Sequence, residues 1–278
     1  MAINSLSMLI PRRTFLAKAW AITWVSAIGV LLPSSAVKAQ TLTKSKHLEE
    51  ALSLLEGLRL EGRPESNNYQ YKPIIVTWKG VNGASDYVSK ADCSGFMSKL
   101  LRHSYSDYFT QEHFKQWIKE KERKRPLAED FHYAIVTQKD FIPIKKLSQV
   151  QPGDIIAIKY PDGEDNTGHV MLVAETPKER KSSEPLVEGT RQWGVTVIDQ
   201  SRSGHGEKDT RRIKDSRIKD NYCREDDSFY CGLGKGTMRI YTNEEEGIVG
   251  YTWSTFKNSE YYSLDKRNLV LGRLDFNS

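Results

Sequence analysis

The feature that most constrains the fold of this chain is a change of hydrophobic period near Pro152. Before it, apolar residues recur every three or four positions, as on one face of a helix. After it, they alternate with polar residues or form short runs, as in strands. Helices that precede a series of strands are typical of an α+β domain. We therefore expect N-terminal helices packed on a mainly antiparallel sheet.

The periodic segments predict individual elements. Helices are expected from about Ser45 to Gly62, from Cys93 onwards, and over residues 111–123. A short β-prone piece covers residues 74–78. The polar stretches 175–194 and 200–221 are expected to be an excursion and a long charged loop. Strands are expected over residues 155–159, 169–174, 195–199, 237–242 and 267–274.

The first 39 residues have the composition of a secretory signal. Arg12 and Arg13 precede an apolar stretch over residues 19–32, and small residues follow up to Ala39. The paired arginines resemble those of twin-arginine signals. We expect cleavage after about Ala39, a periplasmic or secreted protein, and no stable membrane span after cleavage. The alternative is an N-terminal anchor that stays attached.

The remaining chain is almost neutral in charge. The signal region holds four of the 41 lysines and arginines and none of the 36 acidic residues, which leaves 37 basic against 36 acidic residues. Such a balance does not indicate a nucleic-acid partner or an anionic membrane surface. Residues 40–278 are enough for a single domain with a sizeable core.

The chain contains three cysteines, so at least one has no partner within the chain. Cys223 and Cys231 lie close together in a polar loop, and an oxidising compartment favours a local disulfide between them. The alternative is two surface thiols. Cys93 is then the unpaired thiol, which is where a nucleophile is expected.

Cys93 is predicted to lie in the first turn of its helix, with Asp92 or Ser89 as the N-cap. Backbone N–H groups and the positive end of the helix dipole favour a thiolate at such a position. Gly95 leaves room for a substrate backbone to approach the sulfur. The alternative is a small buried residue in the apolar stripe of the helix.

His169 begins a predicted strand and shares one face of it with Met171 and Val173. If those two residues pack beneath the Cys93 helix, the imidazole is carried toward the thiol. An imidazole next to a thiol can take its proton, so Cys93 and His169 together predict nucleophilic attack on an acyl group.

A third group is needed to hold the imidazole in the productive tautomer. Asp199 alternates with Val195 and Val197 on one face of the next predicted strand, so it can stand beside His169. The alternative is that Asp199 starts a turn at the strand end. His205 competes with Asp199 for this role and could contact substrate from its loop. Gln200 is a weaker competitor.

The chain lacks the sequence signals of other hydrolases. No histidine pair at helical spacing accompanies a carboxylate base, and there is no Cys-x-x-Cys, so no metal site is predicted. The nucleophile elbow of serine hydrolases, Gly-x-Ser-x-Gly, is absent. The alternating glycines Gly232, Gly234 and Gly236 precede a strand rather than a helix, so they do not indicate a phosphate loop. We expect no cofactor.

Three motifs together resemble the NlpC-type cysteine peptidases, a superfamily with a papain-like fold that includes the CHAP amidases. They are Asp92-Cys93-Ser94-Gly95-Phe96, Pro152-Gly153-Asp154-Ile155-Ile156 and Gly168-His169-Val170. The resemblance covers residues 87–200. It implies that Cys93 is the nucleophile and His169 the general base. Asp199 falls where the family has its polar orienting residue.

The resemblance also implies substrate contacts and a domain organisation. Asp92 and Ser94 match positions that bind the amine end of the substrate in some members, and the tyrosine found upstream of the cysteine corresponds to Tyr71 or Tyr87. Residues 40–278 would form one NlpC-like domain, with insertions near residues 106–145, 175–194 and 201–236.

Family members commonly cleave amide bonds in peptidoglycan stem peptides. The sequence thus leads to the hypothesis of an exported thiol hydrolase that acts on peptidoglycan or another peptide. Two alternatives stay open: a catalytically silent module that binds wall peptides, and an acyltransferase that uses the same thioester.

Overall fold

The computed structural model describes residues 45–61, 64–120, 122–212 and 231–277. The predicted signal sequence lies outside these ranges, and so does Cys223. Within the described ranges, no helix has the length and apolar character needed to cross a membrane.

Four helices and twelve strands follow one another in these ranges. The helices are α1 (Lys46–Glu61), α2 (Cys93–Ser104), α3 (Gln111–Phe114) and α4 (Ala128–Val136). The strands are β1 (Asn67–Tyr69), β2 (Ile75–Thr77), β3 (Val88–Ala91), β4 (Phe141–Ile144), β5 (Ile155–Lys159), β6 (Gly168–Val173), β7 (Lys178–Arg180), β8 (Arg191–Ser201), β9 (Gly232–Thr242), β10 (Ile248–Thr252), β11 (Tyr261–Ser263) and β12 (Asn268–Leu274).

Most of the strands form one antiparallel sheet. Its order is β11-β10-β9-β8-β6-β5-β12-β4, and β7 pairs with β8. A bridge joins Lys146, just after the edge strand β4, to Gly247, just before β10, the second strand from the other edge, so the sheet curves back on itself. A smaller sheet, β1-β3-β2, has one parallel and one antiparallel pair. The predicted α+β class with a mainly antiparallel sheet is confirmed.

The larger sheet separates two apolar clusters. On one face, strand residues such as Val170, Leu172 and Ile198 pack with helices α1, α2 and α4. On the other face, Met171 and Val173 pack with residues from other strands of the curved sheet. The prediction that Met171 and Val173 lie beneath the Cys93 helix is therefore wrong, because Val170 and Leu172 occupy that face.

The third predicted helix is much shorter than expected. Helix α3 ends at Phe114, and the chain continues in tight turns whose backbone bonds span three residues, such as Trp117 N–H to the Phe114 carbonyl. The turns bring the Trp117 indole to Asp140, with Nε1 2.7 Å from Oδ2. Arg123, the last residue of the predicted helix, pairs with Asp130, with Nη1 2.8 Å from Oδ2.

Several strands extend beyond their predicted limits. Strand β8 begins at Arg191, inside the expected excursion, and includes Gln200 and Ser201 from the expected loop. Strand β9 begins at Gly232 rather than Thr237. The two strands pair along their whole length, from Arg191 with Thr242 to Ser201 with Gly232. This backbone pairing compensates for the weak apolar pattern at the strand ends.

Candidate active site

Cys93 is the first residue of helix α2, and Asp92 is its N-cap. The Asp92 carboxylate accepts the Gly95 backbone N–H. Ser89, the other candidate cap, lies in β3 and donates its hydroxyl to Gln200 Oε1 at 2.7 Å. Cys93 carries a free thiol and is 5% exposed. Because the first N–H groups of a helix have no partner within it, the thiol lies in a field that favours negative charge.

His169 follows a glycine whose backbone no other residue could easily adopt. Gly168 has a φ of +140°, and a Cβ at this position would collide with the Ile158 carbonyl on the paired strand β5. Ile158 and His169 are partners in the β5–β6 ladder. The ladder between β6 and β8 ends at Leu172, so the two strands are no longer paired where His169 lies.

The imidazole of His169 interacts with both other members of the predicted triad. Its Nε2 lies 2.7 Å from Asp199 Oδ2. The ring also interacts with the Cys93 side chain, and because Asp199 occupies Nε2, Nδ1 is the ring nitrogen that remains for the thiol. Burial disfavours the charged ring, but the negative charge on Cys93 and the bond to Asp199 outweigh it and raise the pKa of His169 to about 10. This electrostatic balance favours a protonated imidazole.

Asp199 is fully buried and has three cation-forming groups around its carboxylate. Besides His169, Oδ2 has His205 Nε2 at 3.1 Å, and Oδ1 has Arg211 Nη2 at 3.0 Å. Burial opposes ionisation, but Arg211, His205 and the His169 bond outweigh it and hold the pKa of Asp199 well below its usual range. Of the two candidates for the orienting role, Asp199 is therefore the one that contacts His169.

His205 lies deep in the molecule, not in an exposed loop. The side chain is 0% exposed, and Nδ1 donates to the Trp253 carbonyl at 2.6 Å. The predicted substrate contact of His205 does not fit this location, since its two ring nitrogens already face Trp253 and Asp199. The Trp253 indole packs edge-on against the His169 ring at 4.8 Å between centroids and thereby fills the space between the two histidines.

A buried ion pair that the sequence did not predict contacts the Asp199 oxygen that His169 does not use. Arg211 is fully buried, and its guanidinium bonds Asp209 through Nε at 3.0 Å and Nη2 at 2.8 Å. Burial disfavours both charges, but Asp199 and Asp209 together raise the pKa of Arg211, and Arg211 lowers the pKa of Asp209. Side chains on Gly234 or Gly236 would collide with Arg211 and Asp209, respectively. The alternating glycines thus make room for a buried ion pair.

Gln200, the weaker competitor of Asp199, faces away from His169. Its Oε1 accepts the Ser89 hydroxyl, and its Nε2 donates to the Asn68 carbonyl at 2.7 Å. Gln200 therefore joins strand β8 to the smaller sheet that leads into helix α2.

Asp92 and Ser94 form an internal network with Arg125. The Arg125 guanidinium pairs with Asp92 Oδ2 and donates to Ser94 Oγ at 2.7 Å, and Ser94 in turn donates to Asp92 Oδ1 at 3.1 Å. Both residues are less than 5% exposed. The resemblance implied that they bind a substrate amine. In the structure their polar atoms instead hold the start of α2 to the loop that carries Arg125.

The two predicted tyrosines lie in different environments. The Tyr87 ring packs against Gly57 of helix α1 and is half-buried, and its substrate contact stays a prediction. Tyr71 is 54% exposed. Burial, followed by the negative charge on Cys93, raises the pKa of Tyr69, and burial and Cys93 also raise the pKa of Tyr160 to about 12. Tyr69 lies in strand β1, outside the predicted β-prone piece over residues 74–78, so no sequence signal singled it out.

Cys231 is disulfide-bonded, and its predicted partner, Cys223, lies outside the described residues. In the ranges that the structure covers, no three histidine, cysteine or acidic side chains form a group suited to a metal ion.

Comparison with known proteins places the chain in the family of a viral protein. It is 35% identical over 222 residues to the uncharacterized protein R653 of Acanthamoeba polyphaga mimivirus, an alignment that covers 77% of this chain and 90% of the viral protein. The chain belongs to the family of that protein. No family model matches the chain. No solved structure matches it either.

Proposed function

We propose that the protein is a thiol hydrolase that cleaves an amide bond, with Cys93 as nucleophile, His169 as acid and base, and Asp199 as the orienting group. One observation carries the proposal: a single buried imidazole interacts with the free thiol at a helix N-terminus and, through its other nitrogen, with a buried carboxylate. This is the arrangement that nucleophilic catalysis requires.

In the proposed reaction, the Cys93 thiolate attacks the carbonyl carbon of the amide. The backbone N–H of Cys93 helps to hold the oxyanion that forms. The C–N bond then breaks while the His169 imidazolium gives its proton to the leaving amine, which leaves a thioester on Cys93. Water attacks the thioester, His169 takes a proton from that water, and the free acid departs.

The substrate class and location follow from the sequence motifs. The NlpC-like motifs favour peptides of peptidoglycan as substrates and a papain-like arrangement of the helix and sheet. The signal-like N-terminus favours a periplasmic or secreted enzyme. A helix that carries the thiol and packs on an antiparallel sheet that carries the imidazole is consistent with that arrangement.

The proposal is tested with purified protein, Cys93→Ala, and Ser104→Ala as a matched control that removes a buried hydroxyl at the other end of α2. Peptidoglycan fragments are incubated with each protein, with and without an added amine acceptor, and the products are identified by mass spectrometry. We expect free acid and free amine with wild type and Ser104→Ala, and none with Cys93→Ala. Products joined to the added amine would instead indicate an acyltransferase.

A second measurement separates an enzyme from a silent binding module. Alkylation of the folded protein near neutral pH should modify Cys93 rapidly, because a thiolate is the reactive form. Full turnover by Cys93→Ala, or a thiol that alkylates no faster than a free cysteine, would overturn the proposal.

A further inference from the structure

An arginine that has no acidic partner among the described residues lies on an aromatic surface next to the strand that leads into Cys93. Arg202 directly follows strand β8 and is exposed. Its guanidinium lies 5.2 Å from the centre of the Tyr69 ring and 5.6 Å from that of Tyr71. The two rings pack edge to face, with centroids 5.7 Å apart. Such stacking holds the charge in place while leaving its N–H groups available.

Tyr69 connects this arginine with Cys93. Strand β1 pairs with β3 so that Tyr69 is opposite Ala91, two residues before Cys93. Burial raises the pKa of Tyr69, and the negative charges on Cys93 and Asp92 raise it further. The same ring therefore lies within electrostatic range of the thiol and under the guanidinium of Arg202.

The other charges close to Cys93 are already paired. Asp92 has Arg125, and Asp199 has Arg211 as well as the two histidines. Arg202, in contrast, makes no hydrogen bond or ion pair with any residue in the described ranges. It is therefore a cation next to the candidate site whose charge is not neutralised by those residues.

A second arginine–tyrosine cluster near Cys93 differs from the first in that its arginine has an acidic neighbour. The guanidinium of Arg267 lies 4.1 Å from the Tyr160 ring centre and 4.2 Å from that of Tyr262. Arg267 has an acidic neighbour, however, because its Nη2 lies 3.9 Å from Glu164 Oε2. Arg202 has the same aromatic support without the carboxylate.

We propose that Tyr69, Tyr71 and Arg202 form a subsite for a substrate carboxylate, so that the amide cleaved at Cys93 belongs to a molecule with a carboxylate close to the scissile bond. A guanidinium binds a carboxylate through two parallel N–H···O bonds, which fixes orientation as well as charge. The inference rests on the proposed function and narrows its substrate class to acidic amides.

Two alkylating reagents test the subsite without a substrate. Iodoacetate and iodoacetamide alkylate the Cys93 sulfur by the same step, in which the sulfur displaces iodide, but iodoacetate carries a carboxylate. We expect the rate ratio of iodoacetate to iodoacetamide to fall about two- to fivefold in Arg202→Gln, the effect of one unit charge at close range in a largely aqueous site. Added salt should reduce the wild-type ratio toward that of the variant.

Two further variants serve as controls. Arg202→Lys keeps the charge, so it should retain most of the preference for iodoacetate. Arg102→Gln removes an exposed arginine near the other end of α2 and should leave the ratio unchanged. An equal ratio in wild type and Arg202→Gln, with rapid labelling by iodoacetamide in both, would overturn the subsite and leave the nucleophile intact. Slow labelling by both reagents would overturn the proposed function and, with it, the subsite.

A pair of matched substrates then tests recognition directly. Two peptides are compared that differ in one group near the scissile amide, carboxylate in one and carboxamide in the other. We expect wild type to prefer the carboxylate through a lower KM, and Arg202→Gln to lose the preference because its KM for the carboxylate peptide rises to that for the carboxamide. Equal KM values of wild type for the two peptides would contradict the subsite.

Discussion

Two buried aspartates flank the Cys93–His169 pair, and each is paired with an arginine in a different way. Asp92, on the helix side, pairs with Arg125, which keeps 28% of its side chain exposed. Asp199, on the sheet side, pairs with Arg211, which keeps 1% exposed. The helix-side pair is thus open to solvent screening, whereas the sheet-side pair acts in a dry environment where each charge has more effect.

The two carboxylates also differ in what they hold. Asp92 accepts the backbone N–H of Gly95 and the hydroxyl of Ser94, so it fixes the start of a helix. Asp199 holds side chains that can carry charge, among them His169 and His205. The comparison indicates that Asp92 has a mainly structural role, whereas Asp199 controls the protonation of the imidazole.

Replacement of the two carboxylates is expected to differ most in its effect on catalytic activity. Asparagine offers one acceptor oxygen, whereas Asp199 faces three donor groups, so the amide NH₂ of Asp199→Asn would have to face one of them. If it faces His169, the proton is forced onto Nδ1, and the ring can no longer accept a proton from Cys93. We expect kcat/KM to fall by about 10²- to 10⁴-fold, the usual contribution of general acid–base catalysis.

The control for that variant is Asp92→Asn. Asparagine is as good an N-cap as aspartate, so we expect α2 to remain capped and kcat/KM to change by less than about threefold. Steady-state kinetics of the two variants on the same amide substrate make the comparison. Equal losses in both would contradict the division between a structural and a chemical aspartate.

The next effect is on stability and concerns the two arginines. In Arg211→Gln, Asp199 and Asp209 lose their shared cation in a fully buried site, and we expect the free energy of unfolding to fall by about 3–5 kcal/mol. Arg125→Gln removes a partly exposed cation, and we expect a loss of about 1 kcal/mol. Urea unfolding followed by tryptophan fluorescence measures both. A loss from Arg125→Gln as large as that from Arg211→Gln would show that exposure is not the deciding factor.

The contrast between the two sides also explains what could be predicted from the sequence. The Asp92 side is local, because the cap, the cysteine and the apolar stripe of α2 follow one another in the chain. Strands β5 and β6 were likewise predicted to within a residue, since their apolar residues are continuous. The positions of Cys93 on α2 and His169 on β6 followed from the same patterns.

The Asp199 side could not be predicted in the same way, because its contacts depend on distant parts of the chain. Arg211 and Asp209 lie in a stretch that was expected to be a charged loop, and charged residues are rarely buried without partners. Their burial requires the space that Gly234 and Gly236 leave on strand β9. The alternating glycines were noticed in the sequence, but no sequence rule connects them with an ion pair some 25 residues earlier.

Contacts between distant parts of the chain also account for the other differences between the predictions and the structure. Helix α3 was predicted to be long because its apolar residues have helical spacing, but Trp117 is drawn to Asp140 and the helix ends at Phe114. Tyr69 was overlooked in favour of Tyr71 and Tyr87, since pairing between β1 and β3, which the sequence does not reveal, is what brings it close to Cys93.

A smaller effect is expected in the pH dependence of stability that arises from protonation of His169. Its pKa in the folded protein, about 10, lies above the ordinary value of 6.5. Protonation of the ring therefore stabilises the fold fully below pH 6.5, and this contribution is lost as the pH rises through about 10. In Cys93→Ala, the negative charge that does most to raise the pKa is absent.

We therefore expect the pKa of His169 to fall toward 6.5 in Cys93→Ala and to stay raised in Asp92→Asn. NMR titration of the imidazole ring protons measures both values. The free energy of unfolding should also decline less between pH 7 and pH 10 in Cys93→Ala than in wild type, by up to about 1.4 kcal/mol for each unit by which the pKa falls. An unchanged pKa in Cys93→Ala would mean that the thiol does not share a proton with this ring.

The smallest effect concerns Ser94. It decides whether this residue holds the start of α2 or binds the substrate amine. In the structure its hydroxyl accepts from Arg125 and donates to Asp92, so Ser94→Ala should lower the free energy of unfolding by about 1 kcal/mol, the net value of a typical hydrogen bond. The hydroxyl is buried and does not face the substrate. We therefore expect the KM of Ser94→Ala to stay within about twofold of wild type. Urea unfolding and steady-state kinetics on one preparation give both numbers. A KM that rises tenfold with unchanged stability would mean that Ser94 leaves Arg125 to bind the substrate amine, and the helix side of the site would then recognise substrate as well as hold the helix.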